Sequence, residues 1–469
     1  MNRTEGDPSI RRTSNSQRGV SPLEFHENRF EDQELPFSSE QLAEIIKTGR
    51  RVLTSVIDPV HGMKAALGER WGNPPHFFLR DSAEVGDDIA EIYQLTHDVD
   101  LFELTHGSIF GFWEFQYEEG DLPHEVTRFD PDNPLYQRGF FERHGEWMFN
   151  RHSVDGLVKM LITTEGFLTE AERIAFLPKK IKAFNWILEN MNGGHLSYRY
   201  RHETGGLTHQ GWMDGWAGVQ HPNQALNTVY HPEGMLPQDP ITSVEVIAPT
   251  ARVLYQGYHE LKESHPELAA KLYEKLQFIK EDFVRRFRIV DEKGPYFAHA
   301  LADNTPVEVF TVNNAEILTY PLNGEFLIDF EDAVEIGRRL MSPSMFHPEY
   351  GVRTIEKGNP SLKGDNYHVG KNDRAVYWPR VNNRVRKAHR NVAYVAKEKG
   401  EKEIEREFSE NAQRVALANL RLGRRIGWGT EQGFEDERGE LDVSLAQVEM
   451  AWTRSAETLA ALELLSLAS

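Results

Sequence analysis

Cysteine is absent from all 469 residues, which excludes disulfides, thiolate nucleophiles and Cys-based zinc or iron–sulfur centres together. Positive charge is scarce: 53 Lys and Arg stand against 73 Asp and Glu, a formal charge of −20. Neutralising phosphates needs clustered cations, and the stretch from Arg380 to Arg390 is short, so no nucleic-acid or anionic-membrane partner is expected. The same acidity suits a salty cytoplasm as well as it suits any soluble protein. No run is long and apolar enough to span a bilayer, and Met1 to about Gly19 is Arg/Ser-rich without a signal-peptide core, so a cytoplasmic enzyme is expected. Gly-x-x-x-x-Gly-Lys, strand-following Gly-x-Gly-x-x-Gly, Gly-x-Ser-x-Gly and helical His-x-x-x-His are all missing. Nucleotide, cofactor, resident metal and a Ser-His-Asp mechanism are therefore not expected.

The sequence is rich in helical periodicity. Ser38-Ser39-Glu40-Gln41 reads as a capping box ahead of Leu42, Ile45 and Ile46. Amphipathic runs follow at about 80–95, 99–117, 153–166, 169–193, 240–263, 265–287, 328–341, 376–398, 402–423 and 447–467, roughly eleven helices in all. Long loops at 118–150, 194–239 and 342–375 hold much of the Gly, Pro, His, Trp and Asp, as functional loops do. The pattern predicts an all-α fold, a closed toroid of helical hairpins with loops gathered at one mouth and a minor β hairpin near 296–313. Residues 1–30 read as a disordered leader and 31–469 as one catalytic domain, since no Pro/Gly/Ser linker divides the rest.

Chemistry concentrates in Leu207-Thr208-His209-Gln210-Gly211-Trp212-Met213-Asp214-Gly215-Trp216. Indoles at Trp212 and Trp216 suit the C–H faces of a pyranose, Gln210 and His209 suit its hydroxyls, and Asp214 suits protonation of a glycosidic oxygen. Burial beside indoles would keep that proton available near neutral pH. Inversion also needs a base about 6.5–9.5 Å away to activate water. Glu431, beside Trp428 and Gln432, is preferred to Glu435 in the acidic run 435–437, with Glu449 third. Arg80-Asp81 reads as a clamp on vicinal hydroxyls or as the cap of the next helix. His124-Glu125 follows a tight turn. Asp155 sits near a helix start, where satisfying backbone amides is the other reading, and Arg353 and Trp378 supply loop contacts, with core packing equally open for Trp378.

In order, these motifs resemble the catalytic region of the amylo-α-1,6-glucosidase type of glycogen-debranching enzyme, a six-hairpin (α/α)6 family, from about residue 40 onward. Phe78-Leu79-Arg80-Asp81-Ser82 is similar to its Phe-Gly-Arg-Asp-Ser, Gly120 to Val126 to its Gly-x-Ile-Pro-His-Glu-Val, Ser153-Val154-Asp155 to its Ser-Val-Asp, and His209 to Asp214 to its Asn-Gln-Gly-Trp-Lys-Asp. Pro240 to Val246, which contains Glu245, resembles its Pro-x-x-x-Val-Glu-Val, and the series continues through Leu340 to Pro343, Gly351 to Thr354 and Trp378-Pro379. The resemblance implies an inverting, exo-acting glycosidase of α-glucosides with Asp214 as acid, a late Glu as base, and Arg80 and Asp81 in the subsite for the non-reducing sugar. Glu431-Gln432 is also similar to the Glu-Gln of bacterial-type glucoamylases. Met213, the residues after Asp155 and Tyr377 to Arg380 depart from the pattern, and no β-rich N-terminal domain precedes it, as in stand-alone hydrolases of glucosylglycerate and mannosylglycerate. Rival readings are a compatible-solute glycosidase, an isomerase or epimerase using His124, His209 and His368, and a sugar-binding protein.

Overall fold

The structure is a computed structural model describing residues 36–65, 67, 75–131, 141–150, 154–192, 194–196, 241–302, 304–358, 365–366, 370–371, 374–436, 438–444 and 446–468. Asp214, His209, Gln210, Trp212, Trp216 and His368 lie outside the described residues.

Among the described residues there are twelve α-helices: α1 Ser39–Val56, α2 Leu79–Thr96, α3 Val99–Phe112, α4 Val154–Glu165, α5 Glu170–Asn190, α6 Val244–Leu261, α7 Pro266–Phe287, α8 Asn314–Thr319, α9 Phe330–Leu340, α10 Pro379–Lys399, α11 Lys402–Ile426 and α12 Ala451–Ala468. Local sequence explains several starts. The Ser38 hydroxyl accepts from Gln41 N–H at 3.3 Å while Gln41 Oε1 accepts from Ser38 N–H at 2.8 Å, the expected capping box. Thr169 and Glu172 do the same for α5, and Pro379 opens α10, where a missing N–H costs nothing. Two expectations shift. The run drawn at 99–117 ends at Phe112 and tightens into a 3-10 turn, Trp113–Phe115, and the short α8 has no counterpart in the expected helices because six residues carry too little periodicity.

Packing follows a cycle. α2 lies against α4, α4 against α6, α6 against α8, α8 against α10, α10 against α12, and α12 returns to α2. The remaining helices lie against members of this cycle or against one another: α1 on α12, α3 on α2, α5 on α7, α7 on α6, α9 on α8 and α10, and α11 on α10 and α12. One extensive apolar cluster runs through α2, α4, α6 and α10, holding Leu79, Leu157, Ile247 and Val385 among others, and a second joins Val52, Val85 and Leu459 where α1, α2 and α12 meet.

Strands are more numerous than a single minor hairpin, though all are short. The hairpin expected near 296–313 is Ala300–Ala302 with Thr305–Val307, and Ile241–Ser243 adds a third strand to it. Strands His76–Phe78, Ile241–Ser243 and Arg374–Tyr377 run directly into α2, α6 and α10 or stop one residue short, so three of the small sheets sit at the N-terminal ends of these three inner helices. No described helix is long and apolar enough to cross a membrane.

Candidate active site

The first two turns of the inner helices carry charge where a core helix would carry apolar residues. α2 presents Arg80, Asp81 and Glu84, α4 presents Asp155 and Lys159, α6 Glu245, α8 Glu316, and α10 Arg380 and Arg384, and all but Arg384 are buried. Lys159 is their hub. Its Nζ lies 2.9 Å from Glu84, 3.0 Å from Glu245, 3.5 Å from Asp155 and 3.8 Å from Glu316, carboxylates from four inner helices. Arg384 bridges Glu84, at 2.8 Å, and Glu316, while Arg380 pairs with Glu84. An ammonium with partners on so many inner helices must sit near the middle of the cycle.

Isolated charges do not survive such burial, because each desolvated ion costs several kcal/mol unless a partner repays it. Arg80 donates through Nε at 2.5 Å and Nη2 at 3.0 Å to the two oxygens of Asp155, so the fork expected on a sugar is occupied on that side by protein. Burial opposes ionisation of Glu84, yet Arg380, Lys159 and Arg384 hold it well below the usual carboxylate range. Asp155 is likewise held low against burial by Arg80 and Lys159. The acids Asp81, Glu84, Asp155, Glu245 and Glu316 nevertheless outnumber Arg80, Lys159, Arg380 and Arg384. Burial lifts Glu245 to about 7 against the pull of Lys159. It also lifts Asp81 to about 7, opposed by Arg380 and Arg80 and reinforced by Glu84 and Glu431. A carboxyl in that range can donate to or accept from a hydroxyl near neutral pH.

The charge of Glu431 is among those felt at Asp81, so the two carboxyl groups lie within electrostatic range of each other. Glu431 reaches the cluster from the loop between α11 and α12, is 5% exposed, and has Oε2 held by Gln447 N–H at 3.2 Å. Glu435 lies beside the start of α10, taking a hydrogen bond from the Tyr377 hydroxyl at 3.4 Å and facing Arg353 at 3.9 Å. Small cavities along the cluster are lined by Glu84, Lys159, Glu316, Arg380 and Arg384.

The other expected residues divide. His124 and Glu125 are buried at the start of the strand paired with His76–Phe78, Glu125 bonded to His76 and the His124 carbonyl accepting from Leu79 N–H at 2.9 Å, so both abut the start of α2. Arg353 and Tyr377 face each other across an isolated bridge beside the start of α10, with the guanidinium 5.6 Å from the phenol ring centre. Trp378 is completely buried, edge-on to Trp452 at 6.1 Å, which favours its packing role. Trp428 meets Phe37 edge-on at 6.4 Å and packs on the apolar cluster that includes Leu42 of α1, Leu420 of α11 and Ala460 of α12. Sequence reasoning missed Glu84, Lys159, Glu316, Arg380 and Arg384. The available signal was charge four residues apart on an apolar helix face: Arg80 and Glu84, Asp155 and Lys159, Arg380 and Arg384. Among the described residues no group of His, Asp and Glu could hold a metal ion.

No family model and no curated protein matches this sequence. Solved structures do match its fold. The GH63 mannosylglycerate hydrolase of Thermus thermophilus in complex with glucose superposes with TM-score 0.56 at 15% identity, covering 89% of this chain and 99% of that one. The same hydrolase with Tris and D-glycerate gives 0.54 at 12% identity over 88% and 99% of the two chains. A metal-independent alpha mannosidase of Streptococcus pneumoniae, with alpha-1,6-mannobiose, gives 0.53 at 14% over 91% and 97%. At such identities the likeness is one of fold.

Proposed function

We propose that the chain is an inverting, exo-acting glycoside hydrolase, that its cycle of helices is a six-hairpin (α/α)6 toroid, and that residues from about 31 onward form one catalytic unit. The observation that carries this reading is a buried carboxylate, Glu431, whose charge is felt at Asp81 of α2, at the end of the cycle where the inner helices gather their charged residues. Glu431 removes a proton from water, whose oxygen attacks the anomeric carbon. The glycosidic C–O bond breaks from the opposite face, and Asp214 gives its proton to the departing oxygen. Asp81, able to donate or accept near neutral pH, bonds hydroxyls of the retained sugar, and Arg80 fixes Asp155 beside it.

The resemblance to the amylo-α-1,6-glucosidase type favours an α-glucoside as substrate. A second reading, a glycoside of glycerate, is favoured by the fold shared with a mannosylglycerate hydrolase that binds D-glycerate. Incubation with maltose, isomaltose, panose, glycogen, glucosylglycerate and mannosylglycerate, with the product anomer read by NMR, separates the two. Glu431→Ala and Asp214→Asn are each expected to lose about 100- to 10,000-fold, the usual contribution of a general acid or base, whereas Glu435→Ala keeps most activity. Retention of more than about a tenth of wild-type turnover by Asp214→Asn would remove the acid assignment.

A further inference from the structure

The loop that delivers Glu431 is anchored from below by a buried carboxylate that the proposed reaction does not use. Glu457, on α12, is 1% exposed, and both its oxygens face the backbone N–H of Gly429, at 3.0 and 3.2 Å. Arg454 donates to the same carboxylate at 3.2 Å. Glycine clears the space for this contact twice. A Cβ on Gly423 of α11 would stand 2.8 Å from Glu457 Oε1 and 2.7 Å from the Trp428 ring, and one on Gly429, whose φ is +80°, would stand 2.6 Å from Arg454 Nε. Burial pushes Glu457 up to about 7 against the pull of Arg454 and the Gly429 amide, so the contact is kept although the site disfavours charge.

The remaining bonds of the loop pass the constraint on to Glu431. Met450 N–H donates to Gly429 O at 3.0 Å, Glu431 N–H to Gln447 O at 2.8 Å, and Gln447 N–H to Glu431 Oε2 at 3.2 Å. We propose that Glu457 is a positioning residue, holding the Gly429 amide so that the Glu431 carboxylate keeps the orientation needed to take a proton from water. The proposal rests on the reading of Glu431 as base. A general base misplaced by about an ångström loses roughly 100-fold in rate while substrate binding, made by other groups, is little changed.

The test uses the full chain with α-D-glucosyl fluoride and α-D-mannosyl fluoride, whose leaving group needs little acid assistance and so reports the water-activating step. Glu457→Gln is expected to lower kcat about tenfold with KM within about twofold. Glu457→Asp, which keeps the charge and shortens the reach, is expected to fall between Gln and wild type. In a Glu431→Ala background, with azide supplied to attack the anomeric carbon as fluoride leaves, Glu457→Gln is expected to change the rate by less than about twofold, because it acts through the missing side chain. Equal kcat for Glu457→Gln and wild type, or the same loss in both backgrounds, overturns the positioning role while leaving Glu431 in place. Full activity of Glu431→Ala, or no turnover of either fluoride by the native chain, overturns the reading beneath it.

Discussion

Lys159 is the residue on which the buried charges balance. Removing a partner from a buried ion pair costs about 3–5 kcal/mol because the opposite charge stays behind unpaired, and here Glu84, Asp155, Glu245 and Glu316 would all lose a neighbour. Lys159→Met, close in volume, is expected to lose stability in that range by urea denaturation, and a loss under about 1 kcal/mol would show that the other cations suffice. Glu245 makes a prediction of opposite sign. Its folded pKa, about 7, lies above the 4.5 of an unburied glutamate, so its contribution is full at low pH and is lost as pH rises toward 7. Glu245→Gln removes the titration, and its stability relative to wild type should improve with pH by up to about 1.4 kcal/mol per unit in that window. Urea melts at about pH 5 and 7.5 decide the matter, since a difference independent of pH contradicts the retained proton. The sequence offered Asp155, Glu245 and the four-residue spacing of Asp155 and Lys159, but not the balance of charges among them. Lys159 falls between Val158 and Met160 on a helix whose periodicity was visible, but only the neighbouring helices supply the carboxylates that let an ammonium remain there.

The helices start in different ways, and the difference tracks what the sequence could and could not reveal. α1, α3 and α5 are capped by Ser38, Asp98 and Thr169, residues within three positions of the amides they serve, so these starts are local and the box at Ser38 was legible. Ser38→Ala is expected to cost about 1 kcal/mol in thermal or urea unfolding and leave turnover unchanged, since α1 lies outside the inner cycle. Three inner helices, α2, α8 and α10, have no such device, and two of them are entered from strands. α2 begins after Phe78 and α10 after Trp378, with no side chain capping either. Their first turns face the carboxylate cluster instead, where the positive end of a helix dipole stabilises anions by a few tenths to about 2 kcal/mol. The Arg-Asp motif at Arg80-Asp81 could thus be read as cap or clamp, and the cap reading fails because α2 already begins at Leu79, with no side chain capping it. Arg380 and Arg384 were hidden for a related reason. A short basic stretch reads as solvated surface until Glu84 and Glu316 are brought against it from α2 and α8.

At the scale of the molecule, the cycle of inner helices is completed by its last member. α12 packs on α10 on one side and α2 on the other, and α1 lies across it, so Val52 and Leu53 of α1, Val85 and Ile89 of α2 and Leu459 of α12 form one apolar cluster. The same helix carries Glu457 beneath the Glu431 loop, while α2 carries Asp81. A loosened α2–α12 contact should therefore be felt at the site as well as in stability. Leu459 is completely buried, and truncating a buried Leu to Ala costs about 2–5 kcal/mol, depending on how far the cavity collapses. Leu459→Ala is expected to lose that amount and, well below its melting temperature, to show reduced kcat, because the carboxylates of Asp81 and Glu431 are held from the two helices that cavity separates. Ala substitution at Leu272, buried on α7 outside the cycle, is the control, with a similar cost in stability and little in kcat. If both variants lose stability and neither loses turnover, closure of the cycle is a matter of folding alone. If only Leu459→Ala loses turnover, the contact that closes the cycle also sets the distance between Asp81 and Glu431.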